Sequence, residues 1–600
     1  MLSDLRHAFR MLLKAPGFTF VAVVTLALGI GANSAIFSVI EPMLLRPLPF
    51  PDANRIVAVW AKTGGMFGDR DVWSYPNYAD ERDQNRSFQA LAAFTRTSAV
   101  LNQAETSQVL EGVAISPQIF DVLGTKPLLG RSFTAEEDRP GAGAPVVVLT
   151  YPLWQRAFGG DRHIVGKQVS LTSRSYTVLG IMPPGWKFPV EEEHIDYAIP
   201  LNSLIGANAQ NRSAIFLSLV GRLKANVSIA QATAELDAIG AHLAQQYPDA
   251  NAGRENVSIV NLHDDVVGNV RPALLVLSGA VVLVLLIACA NVANLLLARA
   301  AARSREIAIR TALGASRVLI VRQLLCESLL LALIGGATGL LLAWWGVDLL
   351  GSLAAQALPH LGQIRVNSSV GAFTLALATA STLLFGLIPA LQISRPNVNE
   401  TLQQGAKGST GGLQSHRLRP LLVISQVALS LLLLTGSGLL IKSFVNLRAT
   451  NPGFVPDRLM TTQINLPRVR YEKDQARQLR VYQAIEAKLA AIPGMQLVGG
   501  VDPLPLGGNT RFSSFVIEGA PPLPPGQEDS AGRLAVTPDY FRTMKIPLLN
   551  GRFFAPDDDK KARGVTIINQ AFAKHFYPGR NPIGQRILLG RTANEMRPLE

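Results

Sequence analysis

The chain has 600 residues, of which 48% are hydrophobic and only 16% charged, and it carries a formal net charge of +13. A chain of this length holds several units rather than one compact domain, and so apolar a composition points to membrane segments. Its two cysteines, Cys289 and Cys326, exclude a disulfide framework or a Cys-based metal site, and both read as small apolar core residues.

In chain order, five stretches of roughly 20 residues, almost free of charge, read as spanning helices. The first runs from about Gly17 to Ile40. It is too long for the apolar part of a signal peptide and passes into Glu41-Pro42 without a small-residue cleavage site, so it reads as an uncleaved anchor. The others are about Pro272–Ala298, Val318–Leu350, Val370–Ile393 and Pro420–Ile441. The expected organisation is therefore residues 1–40, N-terminus and first span; 41–270, an outer domain; 271–393, a three-span block with an inner loop at 299–318; 394–419, an inner linker; 420–441, the fifth span; and 442–600, a second outer domain.

The short basic pieces set the orientation. Arg6, Arg10 and Lys14 precede the first span. Arg299, Arg303, Arg305, Arg310, Arg317 and Arg322 follow the second, and Arg395, Lys407, Arg417 and Arg419 follow the fourth. Against 13 basic residues these pieces hold three acids, Asp4, Glu306 and Glu400, so all three are cytoplasmic by the positive-inside rule. Most of the net charge is thus used in topology, which removes the case for nucleic acid. The N-terminus is therefore expected on the cytoplasmic side, with both large domains extracytoplasmic.

The first outer domain mixes strand and helix signals. Arg55–Trp60, Val146–Leu149 and Tyr176–Met182 are short β-branched or aromatic runs, and Ile215–Lys224 alternates loosely. Ser228 with Gln231 forms a capping box for a helix to Tyr247, with Ala232, Leu236, Ile239 and Leu243 on one face. The class is α+β, in two subdomains. His163, His194, His242 and His263 are scattered and show no paired-ligand spacing. Glu191–Glu193 and Asp557–Asp559 lack the alternation of a calcium loop and read as solvated.

The two halves repeat. SPQIFDVLGTKPLLGRSF (116–133) matches TPDYFRTMKIPLLNGRFF (537–554) without a gap, pairing Pro117 with Pro538, Phe120 with Phe541, and Gly130-Arg131 with Gly551-Arg552. Residues 144–171 parallel 563–589, and Pro51-Asp52 parallels Pro456-Asp457. The expectation is an internal duplication whose second copy is incomplete at Glu600, with eight spans if complete.

The loop between the second and third spans carries the most specific pattern. Glu306 and Arg310 form an i,i+4 pair on a short helical piece. Leu313-Gly314-Ala315 closes it, Gly314 suiting a left-handed cap, and a new helix starts at Arg317. The run Arg303, Arg305-Glu306-Ile307-Ala308-Ile309-Arg310, Ala312, Leu313-Gly314-Ala315 resembles the coupling-helix region of MacB/FtsX-type ABC transporter permeases, with Ala308 where that family often has Gly. FGLIPALQISRPNVNETLQQGAKG (385–408) resembles the family's exit from the membrane. The opening 5–40 with RPLPFPDANRIV (46–57) resembles its tandem-duplicated, acidobacterial subgroup. The resemblance implies an α-helical transmembrane bundle bearing α+β MacB-like periplasmic core domains. It implies an ATPase-coupling role for Arg303, Arg305, Glu306, Ile307, Arg310, Ala312, Leu313, Gly314 and Ala315. It further implies mechanotransmission in export or efflux of antibiotic, peptide or lipoprotein-like cargo, with an FtsX-like regulator of cell-wall hydrolases as the alternative. The implied partners are a cytoplasmic ABC ATPase dimer, the lipid bilayer, and a periplasmic adaptor or outer-membrane channel.

No G-x-x-x-x-G-K-[ST] phosphate loop is found. Gly436–Ser443 is the nearest mimic, with Ile441 where the second glycine belongs, and Gly166-Lys167-Gln168 lacks the hydroxyl. The chain is therefore expected to be no enzyme and to bind no cofactor directly, ATP acting through the partner. Gly29-Ile30-Gly31 reads as helix packing through small residues. Within the spans Asp348 is the main charge, with no ionisable group at mid-membrane, which argues against an ion-driven pump.

Overall fold

The computed structural model describes residues 2–63, 68–102, 107–141, 144–172, 174–186, 188, 195–268, 270–302, 316–354, 367–393, 415–464, 466, 471, 474–507, 511–521, 529–559, 562–589 and 597–599. It divides into two units, Met1–Arg46 with Val267–Thr450, and Pro47–Val266 with Asn451–Glu600.

Nine helices are labelled in chain order: α1 (Leu2–Leu13), α2 (Pro16–Ile40), α3 (Tyr75–Gln84), α4 (Ile229–Gln246), α5 (Arg271–Ala302), α6 (Arg317–Ala354), α7 (Ser368–Ile393), α8 (Ser415–Ala449) and α9 (Gln475–Ala490). The first unit is helical. Five of its helices are long and apolar enough to cross a membrane, α2 with its π-helical extension to Leu45, then α5, α6, α7 and α8. Pro16 opens α2 and Pro272 opens α5, positions where the missing N–H costs little. Leu12, Leu26, Ile30, Leu331 and Phe385 share one buried cluster on α1, α2, α6 and α7. By contrast α8 keeps most of its apolar side chains outward, as lipid-facing residues would be.

Eleven strands of the other unit form one sheet: β1 (Ile56–Lys62), β2 (Trp73–Ser74), β3 (Phe88–Asn102), β4 (Ser107–Ile115), β5 (Leu129–Gly130), β6 (Val146–Leu149), β7 (Gln168–Leu171), β8 (Arg174–Ile181), β9 (Tyr197–Pro200), β10 (Ile215–Leu223) and β11 (Asn256–Asn261). The order is β11-β1-β10-β3-β4-β9-β6-β8-β5, with β2 on β10 and β7 on β3 and β8. The expected two subdomains are thus joined by a continuous sheet. The long hairpin β3–β4 runs through both halves, and β4–β9 and β6–β8 pair in parallel. Strand β10 lies antiparallel to β1 on one side (Ile56 opposite Arg222) and to β3 on the other (Phe94 opposite Ser218). Side chains alternate between two cores. Val57, Val59, Leu217 and Leu219 enter one, while Ile56, Ala58 and Val220 enter the other.

The helix α4 forms where its cap predicts. The Ser228 hydroxyl accepts from the Gln231 N–H at 3.2 Å, and the Gln231 side chain accepts from the Ser228 N–H at 2.9 Å. Ala232, Leu236 and Leu243 are buried, and Ile239 is half-buried. Gly240 completes that face because a Cβ there would lie 2.5 Å from the Glu255 carbonyl oxygen. A buried ion pair, Arg254 with Asp71 at 2.7 Å, ties the start of β2 to the loop before β11.

The remaining strands are β12 (Val501–Asp502), β13 (Phe512–Ile517), β14 (Asp529–Gly532), β15 (Ala535–Val536), β16 (Ile587–Leu589) and β17 (Arg597–Leu599). They form a pair, β12-β15, and a sheet ordered β14-β13-β16-β17.

Candidate coupling site

The nine loop residues singled out from the sequence, Arg303, Arg305, Glu306, Ile307, Arg310, Ala312, Leu313, Gly314 and Ala315, lie outside the described residues. The two helix ends that hold the loop are described. On the α5 side, Arg299 donates from Nη2 to the Met11 carbonyl at 2.8 Å and places its guanidinium 4.6 Å above the Phe18 ring. On the α6 side, Ser316 caps the helix. Its carbonyl accepts from the N–H groups of Leu319 at 3.0 Å and Ile320 at 3.3 Å, so the helix that carries the third span starts at Arg317, where the sequence places a new helix.

Both helices are seated on α2 through small residues. A Cβ on Gly31 would fall 2.8 Å from the Gly339 carbonyl oxygen, and one on Gly335 would meet the Leu26 Cβ at 2.7 Å. Gly29 faces Ala288 and Leu285 of α5. The glycine pair in the first span therefore serves close helix approach, as its setting suggested. Polar bonds cross the same contacts. Asn33 donates to the Val281 carbonyl at 2.8 Å, and the hydroxyls of Ser34 and Thr374 lie 2.8 Å apart. Phe37 stacks on Phe373 with centroids 4.0 Å apart. The two helices that flank the loop thus share one packed partner, α2.

The structure adds a buried acid to the third span. Glu327, ten residues into α6 and so about 15 Å along it, is only 3% exposed. Its neighbour Ser328 packs on Gly386 of α7, where a Cβ would come within 2.9 Å of the serine side chain. The signal was present, since Glu327 is the single acid between Glu306 and Asp348.

A correction concerns one acid of the run Asp557–Asp559, of which Asp557 and Asp559 are exposed as expected. Asp558 is half-buried and clamped. It is 12% exposed and accepts from both terminal nitrogens of Arg552, at 2.6 and 2.7 Å, and from the Ala555 N–H at 2.8 Å. The Arg552 side chain and that N–H hold its carboxyl down at about 2. The first outer domain has the same clamp. Arg131 donates to both oxygens of Glu137 at 2.8 and 2.6 Å, and Glu137 accepts from the Thr134 N–H at 2.9 Å. Both arginines also donate to the carbonyl of the next residue, at 3.0 Å. Each follows a left-handed glycine, Gly130 (φ 74°) or Gly551 (φ 84°). The equal spacing of six residues from arginine to acid was the available signal. Glu191–Glu193 and His194 lie outside the described residues. Among the described residues no group of three or more His, Cys, Asp and Glu could hold a metal ion.

Comparison with known proteins places these features. The family profile of the MacB-like periplasmic core domain matches residues 19–239 and 447–599, and that of the FtsX-like permease C-terminal domain matches 278–398. A macrolide export ATP-binding/permease protein MacB of Mannheimia succiniciproducens is 24% identical over 400 residues, covering 64% of this chain and 57% of its own length. A pyoverdine export ATP-binding/permease protein PvdT of Pseudomonas syringae pv. tomato is 27% identical over 281 residues, covering 46% of this chain and 40% of its own. The chain thus spans about half the length of the curated relatives it matches. The crystal structure of the periplasmic region of MacB from Actinobacillus actinomycetemcomitans aligns with 38% of this chain and 98% of its own, at 16% identity and a TM-score of 0.29. With one profile covering most of the chain and the other covering α5, the loop, α6 and α7, the protein belongs to the MacB-like periplasmic core domain family and carries an FtsX-like permease domain, a membrane protein with a helical bundle and α+β outer domains.

Proposed function

We propose that the chain is the permease subunit of an ABC-type export system and transmits force from a separate cytoplasmic ATPase dimer to its periplasmic domains. The observation that supports this most is the frame of the loop. Residues 303–315 join two helices of 32 and 38 residues, both keyed to α2 by glycine contacts. The relatives are named as export ATP-binding/permease proteins, which supports the same reading. Arg303, Arg305, Glu306, Ile307, Arg310, Ala312, Leu313, Gly314 and Ala315 form the docking element. The basic pieces keep the N-terminus on the cytoplasmic side of the inner membrane. Cargo is handled by the outer domains together with a periplasmic adaptor or outer-membrane channel, with no cofactor on this chain other than ATP in the partner.

Glu306→Lys or Ile307→Asp should abolish co-purification of the ATPase while membrane insertion stays at the wild-type level. Retention of the ATPase by both variants would show that the loop is not the docking element. Recovery of a cell-wall hydrolase instead of a channel or adaptor would replace export by regulation.

A further inference from the structure

The amphipathic helix α1 plays no part in the span count or in the coupling loop, yet three of its stripes face three different surroundings. Ala8 and Leu12 are buried, and Leu12 joins the core formed by α2, α5 and α6. Phe9 and Leu13, one turn apart, face outward at 52% and 65% exposure. Arg6, Arg10 and Lys14 form a third stripe, also exposed. At 100° per residue the apolar stripe lies between the buried stripe and the basic one. A soluble surface would leave two large apolar residues in water beside three cations. A bilayer surface places the first two among acyl chains and the cations among phosphates.

The chain path supports that orientation. Helix α1 ends at Leu13, and Ala15 is non-helical (φ −130°, ψ 67°), so α2 starts in a new direction. The Thr19 hydroxyl donates to the Leu12 carbonyl at 2.8 Å, and Arg299 donates to the Met11 carbonyl at 2.8 Å, so two side chains hold the open end of α1. Phe20 and Val21 are likewise exposed at the start of the span.

We propose that α1 is a lipid-recognition element, which sinks Phe9 and Leu13 below the headgroups of an anionic leaflet and binds the headgroup phosphates with Arg6, Arg10 and Lys14. Because Arg299 ends in the same contact, the state of that surface is felt at the last turns of α5. The inference rests on the membrane reading of α2 and α5 and is independent of the export reading.

The test uses the full chain in lipid nanodiscs, which leave both faces accessible, made of phosphatidylcholine alone or mixed with phosphatidylglycerol. Phe9→Cys, in a Cys289→Ala, Cys326→Ala background, carries an environment-sensitive fluorophore. The expected result is blue-shifted emission and loss of iodide quenching in the anionic discs. That difference should vanish in Arg6→Gln/Arg10→Gln/Lys14→Gln and at high salt. Trypsin cleavage of the unlabelled wild-type chain after Arg6 and Arg10 gives a second readout that needs no substitution, and it should slow in the anionic discs. Equal quenching and equal cleavage in both lipids would overturn the proposal. So would protection that arises only when a cytoplasmic ATPase is added, which would make α1 a protein-docking surface.

Discussion

The two outer domains build the same corner and differ in what stands beside it. In the first, the Ser116 N–H donates to the Ala93 carbonyl at 2.9 Å, and the Ser116 hydroxyl accepts from the Ala93 N–H at 3.0 Å. In the second, Thr537 and Gly500 exchange the same two bonds at 3.0 and 2.8 Å. A short helix follows in each, Ile119–Leu123 or Tyr540–Thr543. Then comes a left-handed residue, Gly124 (φ 62°) or Lys545 (φ 54°), and finally the arginine–acid clamp. Beyond the corner the likeness stops. In the first domain β10 lies between β1 and β3 and bonds to both. In the second, residues 461–464, which follow Pro456-Asp457 as β1 follows Pro51-Asp52, and 495–500, which run to Gly500 as β3 runs through Ala93, are not in strands. A corner needs residues close in sequence, but a central strand needs two neighbours brought from far along the chain.

The strongest way to break this comparison is to disturb the central strand β10 of the first outer domain. A Cβ on Gly221 would lie 2.4 Å from the Phe88 ring and 3.2 Å from Leu91. Gly221→Val should therefore cost about 3 kcal/mol or more. Limited proteolysis should then cut the first outer domain rapidly and leave the cleavage rate of the 537–558 corner unchanged. Equal loss in both corners would mean that they are not locally encoded.

A smaller effect comes from Asp138, beside the first clamp. Burial lifts its carboxyl to about 6, against the bond it accepts from the Asn202 N–H at 2.7 Å. A raised folded value means that its contribution is fully present below the ordinary Asp value. It is lost as pH rises through about 6. Asp138→Asn should remove that slope, so the variant gains on the wild type in thermal stability at pH 7.5 relative to pH 5. Parallel melting curves at both pH values would contradict the burial of the charge.

The smallest effect should be the clamps themselves, since both arginines are largely exposed. Arg131→Ala and Arg552→Ala should speed amide exchange at Thr134 and Ala555 respectively, with little change in global melting. Both acids titrate below their usual range, held down first by the arginine. The stabilisation is therefore present above ordinary carboxylate values and is lost on acidification, for Asp558 through about 2. If one arginine matters and the other does not, the two corners are not equivalent.

The spans were legible because length and apolarity alone define them. The structure only lengthens them, as from Val318–Leu350 to Arg317–Ala354. The cap at Ser228 was legible because donor and acceptor lie three residues apart. Glu327 was not, because one acid hardly lowers the mean apolarity of its window, and its burial depends on neighbouring helices. The clamps escaped notice because acids in a row resemble a solvated loop until the arginine six residues earlier is paired with one of them. The continuity of the first sheet was hidden for the same reason as the missing strand order. Pairings such as β4 with β9 and β6 with β8 join segments whose own patterns do not name their partners.

On the proposed function, motion at loop 303–315 would reach the outer domains through α5 and α6. Its most direct test is amide hydrogen exchange of the full chain in nanodiscs with its ATPase bound, comparing the ATP-trapped and nucleotide-free states. The account predicts that exchange changes in the 116–137 corner on ATP trapping and that Ile307→Asp abolishes the change. Identical exchange in the two nucleotide states, with the ATPase still bound, would contradict it.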